Sequence, residues 1–178
     1  MKTIIALGGS NSKNSINKTL ATYVGHQLDN VELKVLDLND YKLPLYGVDL
    51  EKNEGIHAEA ERLNQLFDTA DGFVISLAEH NGAYSTAFKN AYDWLSRANS
   101  KVWREKPMLL LATSPGARGG KSVLGIAAGG FPYMGAKIAG QFSLPSFFDN
   151  FKEGAVVDGD LNSALLEQID LFQNSIDI

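Results

Sequence analysis

The chain has 178 residues, of which 44% are hydrophobic and 21% charged, and this length and composition predict one globular domain over residues 1–178. The absence of cysteine excludes disulfide scaffolds, thiolate metal sites and cysteine nucleophiles. The net charge of −5, with no block of lysine or arginine, argues against a nucleic-acid partner.

The first apolar run predicts a strand rather than a targeting or membrane-spanning segment. It covers residues 3–7, far short of the about 20 residues that a spanning helix needs. It also lacks the longer apolar stretch of a signal peptide. We therefore expect a soluble, cytoplasmic protein with no membrane partner.

Short apolar runs, typical of buried strands, alternate along the chain with apolar side chains at helical spacing. In chain order the first half predicts a strand over 3–7, a helix through Ile16, Leu20, Val24 and Leu28, a strand over 31–36, a helix over 54–67 and a strand over 72–77. The second half predicts a helix through Phe88, Ala91, Tyr92 and Leu95, a strand over 107–113, a partly helical segment over 119–131, a strand over 137–142, and a helix from Leu161 to Ile176 with Asp160 as its N-cap.

This alternation predicts the α/β class, with an open parallel sheet and helices on both faces. In such sheets ligands bind beyond the carboxyl ends of the strands. The loops after Leu7, Leu77 and Thr113 are therefore the segments expected to carry the function.

The first of these loops is rich in Gly, Ser and Asn and precedes a predicted helix. The unpaired N–H groups and positive dipole end of a helix start favour an anion. The loop does not follow the dinucleotide pattern G-x-G-x-x-G, because no glycine follows Gly8-Gly9 at the required spacing. Two interpretations are open: the loop binds a phosphate, or Asn14 or Ser15 only caps the helix.

The loop after Thr113 ends in Gly120-Lys121-Ser122, like the close of a Walker A phosphate loop. The spacing G-x-x-x-x-G-K-[ST] would require a glycine where Pro115 stands. The loop also follows an internal strand, and no later strand end offers a clear acidic magnesium ligand. We therefore exclude a nucleoside-triphosphatase site, although the glycines indicate a tight turn or a close backbone approach.

The loop after Leu77 contains Asn81-Gly82, a strong turn signal. Ser85 is a candidate N-cap for the helix that follows, and Lys89 and Asp93 are spaced to pair on its surface. Taken alone, His80 is compatible with a loop histidine of no special role.

Motifs in these three loops occur together. The first segment is Gly9-Ser10-x-Ser12-x-x-Ser15-x-Asn17, the second is Glu79-His80-Asn81-Gly82 with the later Lys89-Asn90-Ala91-Tyr92-Asp93-Trp94, and the third is Ser114-Pro115-Gly116-x-Arg118-Gly119-Gly120. They resemble, in that order, the G-S-x-R-x-x-S-x-N phosphate loop, the P-E-Y-N-x-x…L-K-N-A-I-D-W segment and the third flavin loop of the NADPH-dependent FMN reductase family. The resemblance covers nearly the whole chain.

The resemblance implies a flavodoxin-like three-layer α/β/α sandwich with a five-stranded parallel sheet in the order 2-1-3-4-5. It also implies FMN at the carboxyl end of the sheet, NAD(P)H as co-substrate, and a small electron acceptor such as a flavin, quinone or azo compound. Because the flavin carries the reaction, no catalytic side chain and no metal are required. Members of the family are often oligomers, which implies a homodimer or homotetramer.

The resemblance assigns three groups of cofactor-binding residues. The phosphate would be held, by side chain or backbone N–H, by Ser10, Ser12, Ser15, Ile16 and Asn17. The flavin ring and its polar edge would be contacted by Glu79, His80, Asn81 and Gly82. The pyrimidine side would be lined by Ser114, Gly116, Arg118, Gly119 and Gly120, where N–H donors or Arg118 would stabilise negative charge on the reduced flavin.

Several positions depart from the family pattern: Ala78 stands where the family has proline, Ser85-Thr86 where it has Pro-Gly, and Ser12 and His80 bear most directly on the flavin. Ser12 stands where the family has arginine, so the loop keeps a hydrogen bond but loses a charged, bidentate fork. The affinity for the phosphate is then expected either to be lower or to depend more on backbone N–H groups. His80 replaces a tyrosine, which would change stacking or access at the edge of the ring.

Two other functions stay open at this stage. A flavodoxin-type electron carrier would share the fold and loops, but it typically has a strongly acidic face and aromatic side chains beside the ring, for which Tyr84 is the obvious candidate. A nucleotide-binding regulatory domain would have the fold without a flavin. Five aromatic residues would be explained equally by an oligomer interface or by core packing: Phe131, Tyr133, Phe147, Phe148 and Phe151.

Overall fold

The computed structural model describes residues 1–177. The strands are β1 (Lys2–Gly9), β2 (Val31–Leu36), β3 (Gly72–Leu77), β4 (Glu79–His80), β5 (Ala83–Tyr84), β6 (Lys106–Thr113), β7 (Ala136–Leu144), β8 (Phe151–Lys152) and β9 (Ala155–Val156). The α-helices are α1 (Ile16–Gly25), α2 (Val48–Glu54), α3 (Ala58–Asp68), α4 (Thr86–Ala98), α5 (Lys121–Gly130), α6 (Phe147–Asn150) and α7 (Gly159–Ile176). Short 3-10 helices span Leu38–Asp40 and Phe131–Met134.

The main sheet has five parallel strands in the order β2-β1-β3-β6-β7. Counting only these strands, the order is 2-1-3-4-5, so the predicted flavodoxin-like fold is confirmed. The other strands pair as two antiparallel hairpins, β4–β5 and β8–β9. The sequence did not predict these hairpins, because strands of two residues are too short to show a periodic pattern.

The inner strands are apolar because the sheet is covered on both faces. All of β3 and the last six residues of β1 and of β6 are buried. One face packs on a cluster that includes Phe67, Phe73 and Trp103, and the other on a cluster that includes Leu20 and Phe172. The edge strand β2 is only partly buried, as its alternating sequence predicted.

Two helices have bounds that differ from the prediction. The segment predicted as one helix over 54–67 contains the end of α2 and most of α3, because Gly55 adopts a φ of 79° that ends α2. Helix α1 ends at Gly25, so Leu28 is buried but lies beyond the helix whose apolar face it was predicted to extend.

The helix caps are largely those that the sequence predicted. Ser15 caps α1 and Ser85 caps α4 through their hydroxyl groups. The prediction for α7 is wrong by two residues, because the carboxylate of Asp158, and not that of Asp160, accepts the N–H of Leu161. Asp160 lies in the first turn of α7, where its charge still complements the helix dipole.

For five aromatic residues the sequence left open whether core packing or an interface explains them. Phe131 and Phe147 are buried, and Phe151 is half-buried. Tyr133 and Phe148 are 82% and 64% exposed. Core packing therefore explains the first three, whereas the last two lie at the surface.

Among residues 1–177, no helix combines the length and the apolar character that crossing a membrane requires.

Candidate functional site

The loops that follow β1, β3, β6 and β7 meet around a cavity of about 210 Å³ at the carboxyl edge of the sheet. We call it the strand-end cavity. Its lining residues are Ser10, Ser12, Asn14, Ser15, Ile16, Asn17, Ala78, Glu79, His80, Thr113, Pro115 and Phe148. It thus contains all five residues predicted to hold the phosphate and two of the four predicted to contact the ring.

Two glycines at the end of β1 allow neighbouring parts of the chain to pack closely on the strand. A Cβ on Gly8 would stand 2.4 Å from the backbone nitrogen of Lys18 and 2.5 Å from its Cα. A Cβ on Gly9 would stand 3.0 Å from a methyl carbon of Leu77. Gly8 therefore lets α1 pack directly on β1, whereas Gly9 lets Leu77 of β3 approach the strand closely.

The N-terminus of α1 faces the strand-end cavity. The hydroxyl of Ser15 accepts the N–H of Lys18 at 3.1 Å, and the first turn of the helix contains no acidic residue. The N–H groups of Ile16 and Asn17 lie in that turn, where a helix offers them no backbone acceptor. Capping by Ser15 and space for an anion are therefore both present.

The side chain of Asn17 links α1 to the ends of two strands. Its Nδ2 donates to the carbonyl of Thr113 at 3.1 Å, while its Oδ1 accepts the N–H of Thr113 at 3.0 Å and the hydroxyl of Ser76 at 2.7 Å. Asn17 is only 2% exposed. Its side chain is thus committed to β3 and β6, and only its backbone N–H is available for a ligand.

Glu79 makes a contact that the sequence did not indicate. Its Oε2 accepts the N–H of Val123 at 3.0 Å, in the first turn of α5. Gly120, the N-cap residue of α5, has no side chain that could do so. The carboxylate also complements the positive end of the helix dipole. The Gly-Lys-Ser helix start therefore already holds a protein anion, which agrees with its exclusion as a phosphate site.

The hairpin β4–β5 carries the other residues predicted to contact the ring. Its two-residue turn is Asn81-Gly82, with φ values of 52° and 77°. Two positive φ values suit a type I′ turn, so the turn signal is correct. His80 is exposed and lines the strand-end cavity, whereas Asn81 and Gly82 form the tip of the hairpin outside its lining.

The predicted residues of the loop after β6 lie beside the strand-end cavity but do not line it. Nη2 of Arg118 donates to the hydroxyl of Ser122 at 2.8 Å. Gly119 and Gly120 have φ values of 59° and 73°, so the loop does turn tightly there. Contact with a flavin stays a prediction for Ser114, Gly116, Arg118, Gly119 and Gly120.

Sequence reasoning missed five residues of the cavity lining: Asn14, Ala78, Thr113, Pro115 and Phe148. The first four adjoin predicted residues. Phe148 comes from the segment after β7 and is largely exposed. Its position could have been inferred, since the end of β7 reaches the same edge of the sheet.

A second cavity, of about 480 Å³, meets the strand-end cavity at His80, which lines both. Its wall includes Tyr41, Leu43 and Leu45, from a segment without regular secondary structure. Asn90 and Trp94 of α4 hold this segment, because Nδ2 of Asn90 and Nε1 of Trp94 both donate to the carbonyl of Pro44, at 3.0 Å and 2.8 Å.

Tyr84, the candidate aromatic residue for a position beside the ring, belongs to the core instead. Its ring lies nearly parallel to that of Phe131, with centroids 6.0 Å apart. Burial raises the pKa of Tyr84 to about 12. The structure therefore does not support the aromatic flank expected of a flavodoxin-type carrier.

The chemistry that the strand-end cavity offers most directly is anion binding. Its hydroxyl and N–H groups are donors, and its one carboxylate, that of Glu79, is bound to α5. Over the described part of the chain, no group of three His, Asp or Glu residues is placed to hold a metal ion. A helix start surrounded by short hydroxyl groups suits a phosphate.

Comparison with known proteins gives a consistent result. The family model described as NADPH-dependent FMN reductase matches residues 2–149. A quinone reductase of Escherichia coli is 33% identical over 121 residues, which are 66% of this chain and 62% of that protein. An uncharacterized Mycoplasma pneumoniae protein is 31% identical over 80% of this chain and 86% of its own length.

Among solved structures, FerB of Paracoccus denitrificans, a flavoenzyme NAD(P)H:(acceptor) oxidoreductase, has the same fold. It superposes with a TM-score of 0.79 at 24% identity and covers 99% of this chain and 98% of its own. The match to the quinone reductase, in contrast, spans less than two thirds of that relative's length.

Proposed function

The chain belongs to the NADPH-dependent FMN reductase family, and we propose on that premise that it passes electrons from NAD(P)H through FMN to a small acceptor such as a flavin, quinone or azo compound. Membership confirms the predicted class, an NAD(P)H-dependent flavin oxidoreductase, and the predicted cofactors, FMN with NAD(P)H as co-substrate. The quinone reductase relative supports a small-molecule acceptor.

The observation that carries the proposal is the strand-end cavity at the N-terminus of α1. The cavity fits the phosphate of FMN, because its donors are uncharged hydroxyl and N–H groups and the first turn of α1 holds no acid. We assign the phosphate to Ser10, Ser12, Ser15 and the N–H groups of Ile16 and Asn17.

The remaining residues position this cavity and border the ring. Bound FMN supplies the acceptance of a hydride and the onward transfer of electrons. Asn17 holds α1 against β3 and β6, and Glu79 holds the loop after β3 against α5. In this proposal, His80, the hairpin tip and the loop over 114–120 lie at the ring.

We assign the nicotinamide and the acceptor, in turn, to the second cavity. It is next to the strand-end cavity at His80, and Leu38, Tyr41 and Leu43 give it apolar surface for a flat organic molecule. Because the two substrates would use one space, they are expected to react in ping-pong order.

The experiment is a flavin titration followed by steady-state kinetics. The protein should bind FMN, lose the absorbance of oxidised flavin when NADPH is added, and oxidise NADPH continuously with a quinone. Initial-rate plots at several quinone concentrations should give parallel lines. Ser10→Ala should weaken FMN binding, whereas Ser100→Ala, an exposed serine away from the cavities, should not.

Two results would overturn the proposal. No uptake of FMN would favour a nucleotide-binding regulatory domain. Uptake of FMN without turnover on any small acceptor would favour an electron carrier. Intersecting lines would overturn the shared second cavity only.

We further propose a homodimer or homotetramer, supported by the exposure of Tyr133 and Phe148. Sedimentation equilibrium measures this directly, and a monomer at assay concentration would contradict it. The cytoplasmic location stays a prediction.

A further inference from the structure

A groove of about 810 Å³ runs along α1 and shares three lining residues with the strand-end cavity. We call it the α1 groove. The shared residues are Asn14, Ser15 and Ile16, so the groove begins where the strand-end cavity ends.

One wall of the groove is a single face of α1. Ile16, Thr19, Tyr23 and His26 recur at helical spacing and extend about 15 Å along the axis, at about 1.5 Å per residue. The opposite wall comes from α6 and the β8–β9 hairpin. The groove is thus elongated and leads directly away from the proposed phosphate position.

The charge of the groove is opposite to that of the whole chain. The chain has a net charge of −5, but the lining contains two lysines, Lys13 and Lys18, and no acidic residue. Lys18 is paired with Asp37. Lys13 forms no ion pair with any residue among 1–177, so it is an available cation at the junction with the strand-end cavity.

Aromatic side chains lie farther along the groove. The rings of Tyr23 and Phe151 meet edge to face with centroids 5.3 Å apart. Phe147 stacks on Phe151 at 5.0 Å and is buried beneath it. Aromatic side chains of this kind are the surface against which nucleotide bases stack.

We propose that the α1 groove binds the adenylate half of a flavin dinucleotide, so that the protein accepts FAD as well as FMN. The inference rests on the proposed function, because both flavins place their first phosphate in the strand-end cavity. A second phosphate, joined to the first, then lies beside Lys13, and the adenine stacks on the ring of Tyr23. The positive lining, the continuity of the two cavities and the aromatic wall all fit this occupant.

The test compares the dissociation constants of FMN and FAD by quenching of flavin fluorescence. The wild-type chain should bind FAD at least as tightly as FMN. Lys13→Gln should weaken FAD binding by about tenfold and FMN binding by less than about twofold, because it removes a charged contact to the second phosphate only. Tyr23→Leu should also weaken FAD binding by about tenfold without weakening FMN binding, because it removes the ring on which the adenine stacks.

The matched control is Lys137→Gln, which removes the same charge from an exposed residue at the amino end of β7. It should change neither constant. FAD binding weaker than FMN binding, or an equal loss for both flavins in Lys13→Gln, would overturn the inference and leave the proposed function intact.

A third measurement, of NADP⁺ binding, distinguishes FAD from the nicotinamide nucleotide as the molecule whose adenylate occupies the groove. If Lys13→Gln weakens binding of NADP⁺ but not of FAD, the groove serves the nicotinamide nucleotide and the inference is wrong. If the wild-type chain binds neither flavin, both this inference and the proposed function are wrong.

Discussion

Replacement of Asn17 by alanine is expected to lower the free energy of unfolding by about 4 kcal/mol. The change removes the two hydrogen bonds to Thr113 and the one to Ser76. Thr113 is 1% exposed and Ser76 is fully buried, so water does not replace the lost partner. A buried polar group without a partner costs about 1–3 kcal/mol. The N–H and C=O of Thr113 and the hydroxyl of Ser76, each in the lower half of that range, together give about 4 kcal/mol.

The assay is urea unfolding followed by tryptophan fluorescence. The chain has two tryptophans, Trp94 and Trp103, which are 1% and 0% exposed, so both report the loss of the packed core. The expected change is a large fraction of the about 5–15 kcal/mol that stabilises a typical domain. Under native conditions the variant should also bind FMN more weakly, because α1 is no longer fixed against the strand ends.

Ser76→Ala is the matched control, because it removes only one hydrogen bond and leaves Asn17 bound to Thr113. It should cost about 1 kcal/mol. The double variant should lose little more than Asn17→Ala alone, since the two side chains share that bond. A loss below about 1 kcal/mol for Asn17→Ala, or equal losses for the two single variants, would refute the reasoning.

Three further variants or conditions test the packing, the phosphate position and two half-buried tyrosines. Gly8→Ala should cost about 3 kcal/mol in urea unfolding, because its Cβ would stand 2.4 Å from the backbone nitrogen of Lys18 and the helix must shift. Ser12→Arg should tighten FMN binding by about tenfold in a fluorescence titration, because it introduces a charged fork at the phosphate. Burial raises the pKa values of Tyr84 and Tyr92 from 10.0 to about 12, so the folded state holds these protons more tightly than the unfolded state does. Their contribution to stability should be complete below pH 10 and should be lost as the pH rises to about 12, as unfolding measured across that range will show.

Each of these predictions has a matched control. Gly47→Ala places a Cβ where nothing lies within 4 Å, so equal stability of the Gly47 and Gly8 variants would contradict the close packing of α1. Ser100→Arg adds the same charge away from the cavities and is the control for Ser12→Arg. Unchanged or weaker FMN binding in Ser12→Arg would mean that the phosphate lies elsewhere. Tyr133→Phe alters a tyrosine that is 82% exposed and should leave the alkaline profile unchanged. A free energy of unfolding that stays constant above pH 10 in the wild-type chain would contradict the raised pKa values of the two half-buried tyrosines.

The loops that form the candidate site could be located from the sequence, but the roles of individual residues could not. The phosphate loop and the Asn81-Gly82 turn have local signatures, which are short side chains before a helix and a dipeptide that tolerates positive φ. In contrast, Asn17 bonds to a residue 96 positions away and Glu79 to one 44 positions away. No local pattern identifies which distant backbone group a polar side chain will meet.

The sequence by itself determined the class of the fold, the order of its main elements and the family, because periodicity, glycine placement and short motifs are properties of neighbouring residues. Only the tertiary structure decided how those elements meet. It placed the strand ends so that Asn17 joins α1 to β3 and β6, and it set α6 and a hairpin opposite α1 to form the α1 groove. The physical reason is that both features consist of contacts between residues far apart in the chain, and such contacts exist only once the chain has packed.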